Sequence, residues 1–140
     1  MEYFPSNKDR AYFKIAECMS KLSDHRYKIG CVVINHHKII SSGYNSNFKI
    51  HKFQKMLDEK FFNDGKSKGC KHAEIDALLP LIKNKVDLTK AIIYTFRRDD
   101  DGNLGLARPC SRCMSVIKSL GIKKLKYTTN CGYASEVIIY

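Results

Sequence analysis

The chain has 140 residues, which is the size of one domain. Hydrophobic residues make up 44% of it and charged residues 28%, as in a folded globular protein rather than a disordered or fibrous one. No apolar run approaches the roughly 18 residues that a membrane-spanning helix needs, and residues 1–8 lack the apolar core of a secretory signal. We therefore expect one domain over residues 1–140, located in the cytoplasm, with no membrane partner.

The chain is strongly basic, with a formal net charge of +11 at pH 7. A basic domain often binds phosphate, either on a free nucleotide or along a nucleic acid. A lysine-rich composition without any binding role is the competing interpretation. The charge alone therefore leaves open whether the partner carries phosphate, and of which kind.

Six cysteines are spread along the chain. In a chain of this length without a secretory signal, reduced thiols or a metal site are favoured over a disulfide framework. Cys18 and Cys31 fall on apolar faces, and we expect them in the core. Cys70 and His51 are candidates for a second, structural zinc site, although a lone cysteine in a loop usually has no such role.

The first predicted element is a helix followed by a hairpin. Ser6 is a suitable N-cap, Asp9 places an anion in the first turn, and apolar residues recur at helical spacing from Ala11 to Leu22. Two short runs rich in β-branched residues follow, at 30–34 and 38–44, and the polar turn between them predicts the hairpin.

The second half of the chain alternates helix and strand. Residues 46–71 have no clear pattern, and a helix is predicted over His72–Leu79, with Pro80 expected to kink or end it. The continuous apolar run Ala91–Phe96 predicts a strand that is buried on both faces. We expect the segment Arg97–Arg108 to be a loop or a short hairpin.

The last predicted helix, Cys110–Leu120, ends at Gly121, and the strand Lys124–Thr128 follows it. The tail at 137–140 is apolar but too short to assign. A strand, a helix and a strand in this order form a parallel unit. The whole order predicts an α/β fold, a three-layer α-β-α sandwich whose mixed central sheet has an N-terminal hairpin and parallel C-terminal strands.

Two short motifs each open a predicted helix, H-A-E at residues 72–74 and P-C-S-R-C at residues 109–113. Because Cys110 and Cys113 lie three apart in a first helical turn, their sulfurs face one side, where the helix N-terminus favours thiolate. With the imidazole of His72 they make a set of one nitrogen and two sulfurs, which zinc accepts. Three protein ligands leave a fourth position for water, as in a catalytic zinc site.

Glu74 lies two residues after His72, so its carboxylate can point into the same cavity without binding the metal. Zinc lowers the pKa of a bound water toward ~7, and a carboxylate beside that water is suited to carry its proton to a substrate. A C-x-x-C pair alone also fits a redox site or a structural zinc site. The two motifs together favour a catalytic zinc centre with Glu74 as the acid and base.

The combined pattern H-x-E…P-C-x-x-C resembles the signature of zinc-dependent nucleobase deaminases. From about Tyr27 to Thr129 the chain resembles the cytidine and deoxycytidylate deaminase superfamily. Gly43-Tyr44-Asn45 looks like the strand-end motif of the deoxycytidylate and tRNA-adenosine deaminase branches, and residues 121–127 look like the parallel strand after their second zinc helix. The resemblance implies a cytidine deaminase-like fold, a zinc cofactor and hydrolytic deamination. Relatives are commonly oligomeric, so it also implies a homo-oligomer.

The resemblance implies substrate contacts as well. Asn45 matches a residue that binds the sugar or the base in those branches. The backbone amide of Ala73 and the region of Cys110 would hold the carbonyl edge of the base.

Three cations near the predicted edge of the pocket are candidate phosphate ligands, namely Lys71, Arg97 and Arg98. The two arginines are equally suited to balance the acidic run at 99–101. The segments 46–49 and 97–105 depart from the pattern of the deoxycytidylate branch, and both are expected to border the pocket. The substrate is therefore less well specified than the chemistry.

We expect hydrolytic deamination of a cytosine-type nucleotide or nucleoside, deoxycytidylate-like, with Glu74 protonating N3 of the base and assisting the departure of ammonia. The alternative is a polynucleotide deaminase that acts on cytosine in single-stranded DNA or RNA, or on tRNA adenosine. Net charge favours the alternative, whereas small size and the lack of a clear aromatic platform for stacked bases favour the free nucleotide. A structural zinc module that binds nucleic acid is disfavoured, since such a site needs no proton carrier.

Overall fold

The computed structural model describes residues 3–47 and 71–139 of the chain. Within those ranges, three helices and five strands follow one another in the order α-β-β-α-β-α-β-β. Their bounds are α1 Asn7–Ser20, β1 Lys28–Asn35, β2 Lys38–Tyr44, α2 Ala73–Lys83, β3 Ile92–Arg98, α3 Ser111–Ser119, β4 Lys124–Thr128 and β5 Tyr133–Val137. The predicted order of elements is present, with β5 as an additional strand.

The five strands form one mixed sheet in the order β2-β1-β3-β4-β5. β1 pairs antiparallel with β2 and with β3, β3 and β4 are parallel, and β5 returns antiparallel to β4. The predicted hairpin and parallel pair are therefore confirmed. The sequence predicts no element at β5, because this strand has five residues of mixed polarity and owes its conformation to pairing with β4.

Side chains alternate along the central strands between two cores. On one face of the sheet, Val32 and Tyr94 lie in a core with Phe13 of α1. On the other face, Val33 and Ile93 lie in a larger core with buried residues of α2 and α3. Helices therefore cover both faces, which confirms the predicted three-layer α-β-α sandwich.

The first helix is anchored to the sheet through Asp9. The amide of Asp9 donates to the hydroxyl of the N-cap Ser6 at 3.1 Å, as predicted, and its carboxylate is buried. This carboxylate accepts the hydroxyls of Tyr94 at 2.6 Å and Tyr3 at 3.3 Å, and the ammonium of Lys126 at 2.9 Å. Burial alone would raise the pKa of Asp9, but the hydrogen bonds from Tyr94 and Lys126 outweigh it and hold the pKa below its usual value.

Pro80 does not end α2, which continues to Lys83. Proline has no N–H group for the carbonyl of Asp76, and an interior proline costs a helix about 3 kcal/mol. Leu78 and Leu81 on either side are buried, and burying such a side chain contributes about 1.5–3 kcal/mol each. Packing of the helix against the sheet therefore offsets the cost of the proline.

Two other predicted boundaries are wrong. α1 ends at Ser20 rather than at Leu22, whose side chain is 60% exposed and adds nothing to the core. β3 extends to Arg98 rather than ending at Phe96, because Arg97 and Arg98 both pair with β1. The two arginines therefore follow the alternation of a strand. The antiparallel bridge between Arg98 and Leu104 confirms the short hairpin that was one of the two expected forms of the segment 97–108.

Within the described ranges no helix is long and apolar enough to cross a membrane. The candidate second zinc pair, Cys70 and His51, and the unpatterned segment at 48–70 lie outside the described residues.

Candidate active site

The two predicted motifs meet at the starts of α2 and α3. His72 is the N-cap residue of α2 and Cys110 is the N-cap residue of α3, with Cys113 in the first turn after it. The Nδ1 atom of His72 lies 3.6 Å from the sulfur of Cys110 and 3.5 Å from the sulfur of Cys113. All three donor atoms lie within 4.8 Å of one another. Ligands that are 38 and 41 residues apart in the chain thus form one cluster.

This cluster fits a zinc ion in both chemistry and size. A tetrahedral zinc ion with Zn–N bonds of about 2.0–2.1 Å and Zn–S bonds of about 2.3 Å separates the nitrogen and sulfur donors by about 3.6 Å. The two nitrogen–sulfur distances here match that value. The set of one imidazole and two thiols leaves one tetrahedral position open.

The pKa values of the two thiols are shifted in opposite directions. A hydrogen bond from Cys113, assisted by His72, lowers the pKa of Cys110 to about 4 although its burial opposes the shift. The same hydrogen bond and burial raise the pKa of Cys113 well above its usual value. Of the two thiols, Cys110 is therefore the one that loses its proton more readily.

Glu74 lies in the first turn of α2 and borders the same cavity as His72 and Cys110. Its side chain is 5% exposed. Burial raises the pKa of Glu74, and His72 opposes this effect only in part. A carboxyl group with a raised pKa exchanges protons more readily near neutral pH, which suits a general acid and base.

A cavity of about 280 Å³ opens beside the cluster. Its walls include four of the five predicted substrate contacts, namely Asn45, Lys71, Ala73 and Arg97. The fifth, Arg98, is not among the residues that line it. Arg98 points to the α1 face of the sheet, where its guanidinium pairs with Glu17 at 2.9 Å.

The side chain of Asn45 takes part in three hydrogen bonds. Its Oδ1 atom accepts from the hydroxyl of Ser23 at 2.6 Å and from the amide of Ile29 at 2.9 Å, and its Nδ2 atom donates to the carbonyl of Tyr27 at 2.7 Å. The amide group has two N–H donors, and the second has no hydrogen-bond partner within the described ranges. Asn45 therefore anchors the segment 23–29 as well as bordering the cavity.

Three of the cations that line the cavity differ in their partners. The ammonium of Lys71 pairs with Asp76 at 3.2 Å, and the guanidinium of Arg108 binds both carboxylate oxygens of Glu136 at 3.0 and 2.9 Å. Arg97 has no carboxylate within ion-pair distance in the part of the chain that the structure describes.

The guanidinium of Arg97 is positioned by two other contacts. It lies 4.4 Å from the ring centroid of Tyr27 and donates through Nη1 to the carbonyl of Leu106 at 3.2 Å. A Cβ atom at Gly105 would lie 3.0 Å from the Arg97 side chain, so this glycine leaves room for it. Arg97 is therefore an ordered cation in the cavity wall.

Sequence reasoning missed His25 and Tyr27, which also line the cavity. The amide of Tyr27 donates to Nδ1 of His25 at 3.0 Å, so the neutral ring carries its proton on Nε2. Burial lowers the pKa of His25, with Asp24 opposing and His72 and Arg97 adding to the shift. No motif marks these residues, because only the packing of their loop against Asn45 brings them to the cavity.

Comparisons with known proteins agree with this geometry. Residues 6–129 match the family described as the cytidine and deoxycytidylate deaminase zinc-binding region. The dCMP deaminase from the cyanophage S-TIM5, solved in complex with dCMP and dUMP, is 23% identical with a TM-score of 0.64, covering 91% of this chain and 85% of that chain. Cytidine deaminase from Burkholderia pseudomallei is 17% identical with a TM-score of 0.62, covering 91% of both chains.

Cytidine deaminase from Mycobacterium leprae is 17% identical with a TM-score of 0.53, covering 94% of both chains. No curated protein matches the chain by sequence. The three solved structures share the fold of this protein, a mixed five-stranded sheet between helices. Because the family match spans most of the chain and contains the His-Cys-Cys cluster, the protein belongs to the cytidine and deoxycytidylate deaminase family.

Proposed function

We propose that the protein is a zinc-dependent hydrolase that converts the cytosine base of a nucleotide or nucleoside into uracil and releases ammonia. The observation that carries this proposal is a cluster of three zinc donors, His72, Cys110 and Cys113, beside a cavity that the buried carboxyl group of Glu74 also borders. A structural zinc site has no need for such a group. The cavity volume of about 280 Å³ suits a small ligand.

The protein residues have separate tasks in this reaction. His72, Cys110 and Cys113 would hold the zinc ion, whose Lewis acidity would lower the pKa of water to about 7. Glu74 takes one proton from the attacking water and delivers it to N3 of the base. It then takes the second proton from the added hydroxyl and delivers it to the amine as the C4–N bond breaks. The added oxygen becomes the new carbonyl of uracil, and the nitrogen leaves as ammonia, so atoms and charge balance.

Three further groups orient the substrate in this proposal. The backbone amide of Ala73 and the start of α3 at Cys110 hold the carbonyl edge of the base. Asn45 offers its remaining N–H group to the sugar or the base. All three residues line the cavity.

Arg97 favours a nucleotide over a nucleoside as substrate, deoxycytidylate being the most suitable. The other lysine and arginine side chains in the described cavity wall, Lys71 and Arg108, are already paired with Asp76 and Glu136. A guanidinium with free N–H groups binds phosphate oxygens through strong charge-assisted hydrogen bonds. The S-TIM5 enzyme, which shares the fold, was solved with dCMP and dUMP.

Ammonia release from a panel of substrates tests the proposal. The panel holds cytidine, deoxycytidine, CMP, dCMP, a cytosine-containing single-stranded oligonucleotide and an adenosine stem-loop, each with zinc-loaded protein. We expect turnover of dCMP above that of deoxycytidine. Turnover of the oligonucleotide or the stem-loop alone would support the polynucleotide alternative, and no turnover of any member would contradict both.

The variant Arg97→Gln tests the phosphate contact. We expect kcat/KM for dCMP to fall about 10- to 100-fold, the loss of one hydrogen bond to a charged group, while kcat/KM for deoxycytidine stays the same. Arg98→Gln is the matched control, because Arg98 is next to Arg97 on β3 but faces the other side of the sheet, where it pairs with Glu17. Equal losses for both substrates would contradict the assignment of Arg97.

A further inference from the structure

A largely buried ion pair joins the residue before His72 to the first turn of α2. The Nζ atom of Lys71 lies 3.2 Å from Oδ2 of Asp76, and the two side chains are 5% and 17% exposed. The same Asp76 oxygen accepts the backbone amide of Tyr44, the last residue of β2, at 3.1 Å. The ammonium of Lys71 also lies 3.7 Å from the ring centroid of Tyr44. One carboxylate thus connects α2 to both Lys71 and the end of β2.

The backbone of Lys71 makes the same connection. Its N–H donates to the carbonyl of Ser46 at 2.9 Å, and its carbonyl accepts the N–H of Ser46 at 2.9 Å. Tyr44 and Ser46 flank Asn45 in the chain. Lys71, which precedes His72, therefore contacts both chain neighbours of Asn45.

β2 and α2 approach each other closely at this point. A Cβ atom at Gly43 would lie 2.6 Å from the carbonyl oxygen of Ala73 and 2.6 Å from the amide nitrogen of Ala77. Real Cβ contacts of this length do not occur, so only glycine allows the strand to sit here. The ion pair therefore acts at a contact that has little room to adjust.

We propose that Lys71 and Asp76 are positioning residues that set the substrate-binding wall of the cavity against the catalytic wall. On one side of the pair stand His72 and Glu74, which follow Lys71 in the chain. On the other side stands Asn45, whose side chain holds Ser23, Tyr27 and Ile29 in place. This inference rests on the proposed function.

The same contacts argue against Lys71 as a phosphate ligand. Its charge is already balanced by Asp76 inside the cavity wall. Moving the ammonium to a substrate would break its contact with Asp76, and breaking an ion pair that is largely shielded from water is unfavourable. Arg97, which needs no such rearrangement, is the cation available to a ligand.

Two substrates distinguish positioning from phosphate binding. We expect Lys71→Met to lower kcat/KM for dCMP and for deoxycytidine by the same factor, about 10- to 100-fold, since small displacements in a site have effects of this size. The loss should lie mainly in KM, because Glu74 and the zinc ligands keep their places on α2 and α3. A loss confined to dCMP, as expected for Arg97→Gln, would overturn the proposal.

A double-mutant cycle tests the pairing itself. The single variants are Lys71→Met and Asp76→Asn. We expect the double variant to lose less kcat/KM than the product of the two single losses. We also expect it to lose less free energy of unfolding in urea than the sum of the two single losses. Lys83→Met, at the exposed end of α2, is the control and should match the wild type in zinc content and KM. Independent, multiplicative effects in the cycle would overturn the proposal.

Lys71→Arg provides a variant that keeps the charge if the methionine variant does not fold. We expect its kcat/KM for dCMP and for deoxycytidine to change by the same factor relative to the wild type. Its KM should be closer to the wild-type value than that of Lys71→Met. Absence of deamination in the wild-type protein itself would contradict the proposed function instead. The double-mutant cycle measured by urea unfolding would still report whether Lys71 and Asp76 are coupled.

Discussion

We predict that Asp9→Asn destabilises the fold while leaving the zinc site intact. In the wild type, the Asp9 carboxylate accepts the hydroxyl of Tyr94 at 2.6 Å and the ammonium of Lys126 at 2.9 and 3.1 Å. Asparagine keeps one oxygen acceptor but has no charge. Lys126, whose side chain is 19% exposed, then loses its ion-pair partner.

The size of the effect follows from the burial of the pair. A hydrogen bond to a charged group contributes about 1.5–3 kcal/mol, and breaking a fully buried pair costs about 3–5 kcal/mol. Because Lys126 keeps some contact with water, we expect a loss below that of a fully buried pair, about 2–3 kcal/mol in the free energy of unfolding at pH 7. For a domain of this length that corresponds to a fall in Tm of roughly 6–12 °C.

The pH dependence supplies the assay. The pKa of Asp9 lies below its usual value, so its charge stabilises the folded protein above the unfolded-state pKa of about 3.9. This stabilisation is lost as the pH falls through the pKa of the folded state. The free energies of unfolding of wild type and Asp9→Asn in urea should therefore differ at neutral pH, and the difference should shrink as the pH falls below about 4.

Asp100→Asn, in the exposed loop after β3, is the matched control and should leave the free energy of unfolding unchanged. Equal stability of wild type and Asp9→Asn at pH 7 would refute the reasoning. So would a difference that stays the same at pH 3, because it would not come from the charge.

Four further predictions concern the site and the state of the protein. Purified protein should bind about one zinc per chain by elemental analysis, and the double variant Cys110→Ala, Cys113→Ala should lose it, whereas full retention would exclude this cluster as the metal centre. Glu74→Gln should keep zinc and fold but lose turnover by about 10²–10⁴-fold, so near-normal activity would place the acid and base elsewhere. Raising salt from 50 to 200 mM should weaken binding of the substrate only a few fold, since a polynucleotide held by ~6–10 phosphate contacts would lose roughly 10³–10⁵ in affinity. Light scattering should show a homo-oligomer, and a monomer at assay concentration would contradict the expectation taken from the resemblance.

The sequence by itself predicted the ligand set of the candidate zinc site. The ligand types, the spacing of Cys110 and Cys113, and the place of Glu74 after His72 depend on which side chains share one helical turn, and this is a local property. The apolar runs of β1 and β3 and the helical periodicity of α1 likewise report burial directly. These features predicted the three-layer fold and the candidate zinc centre before any distance was known.

Only the tertiary structure decided which charged residues reach the cavity. Arg97 and Arg98 look equivalent in the sequence, but pairing with β1 makes both part of β3, and neighbouring residues of a strand point to opposite faces. Lys71 looks like a free cation until Asp76, one helical turn into α2, is seen to balance its charge. The positions of these groups depend on pairing of β3 with β1 and on contacts of Lys71 and Asp76 with Ser46 and Tyr44. Such contacts between distant parts of the chain are not encoded in local patterns.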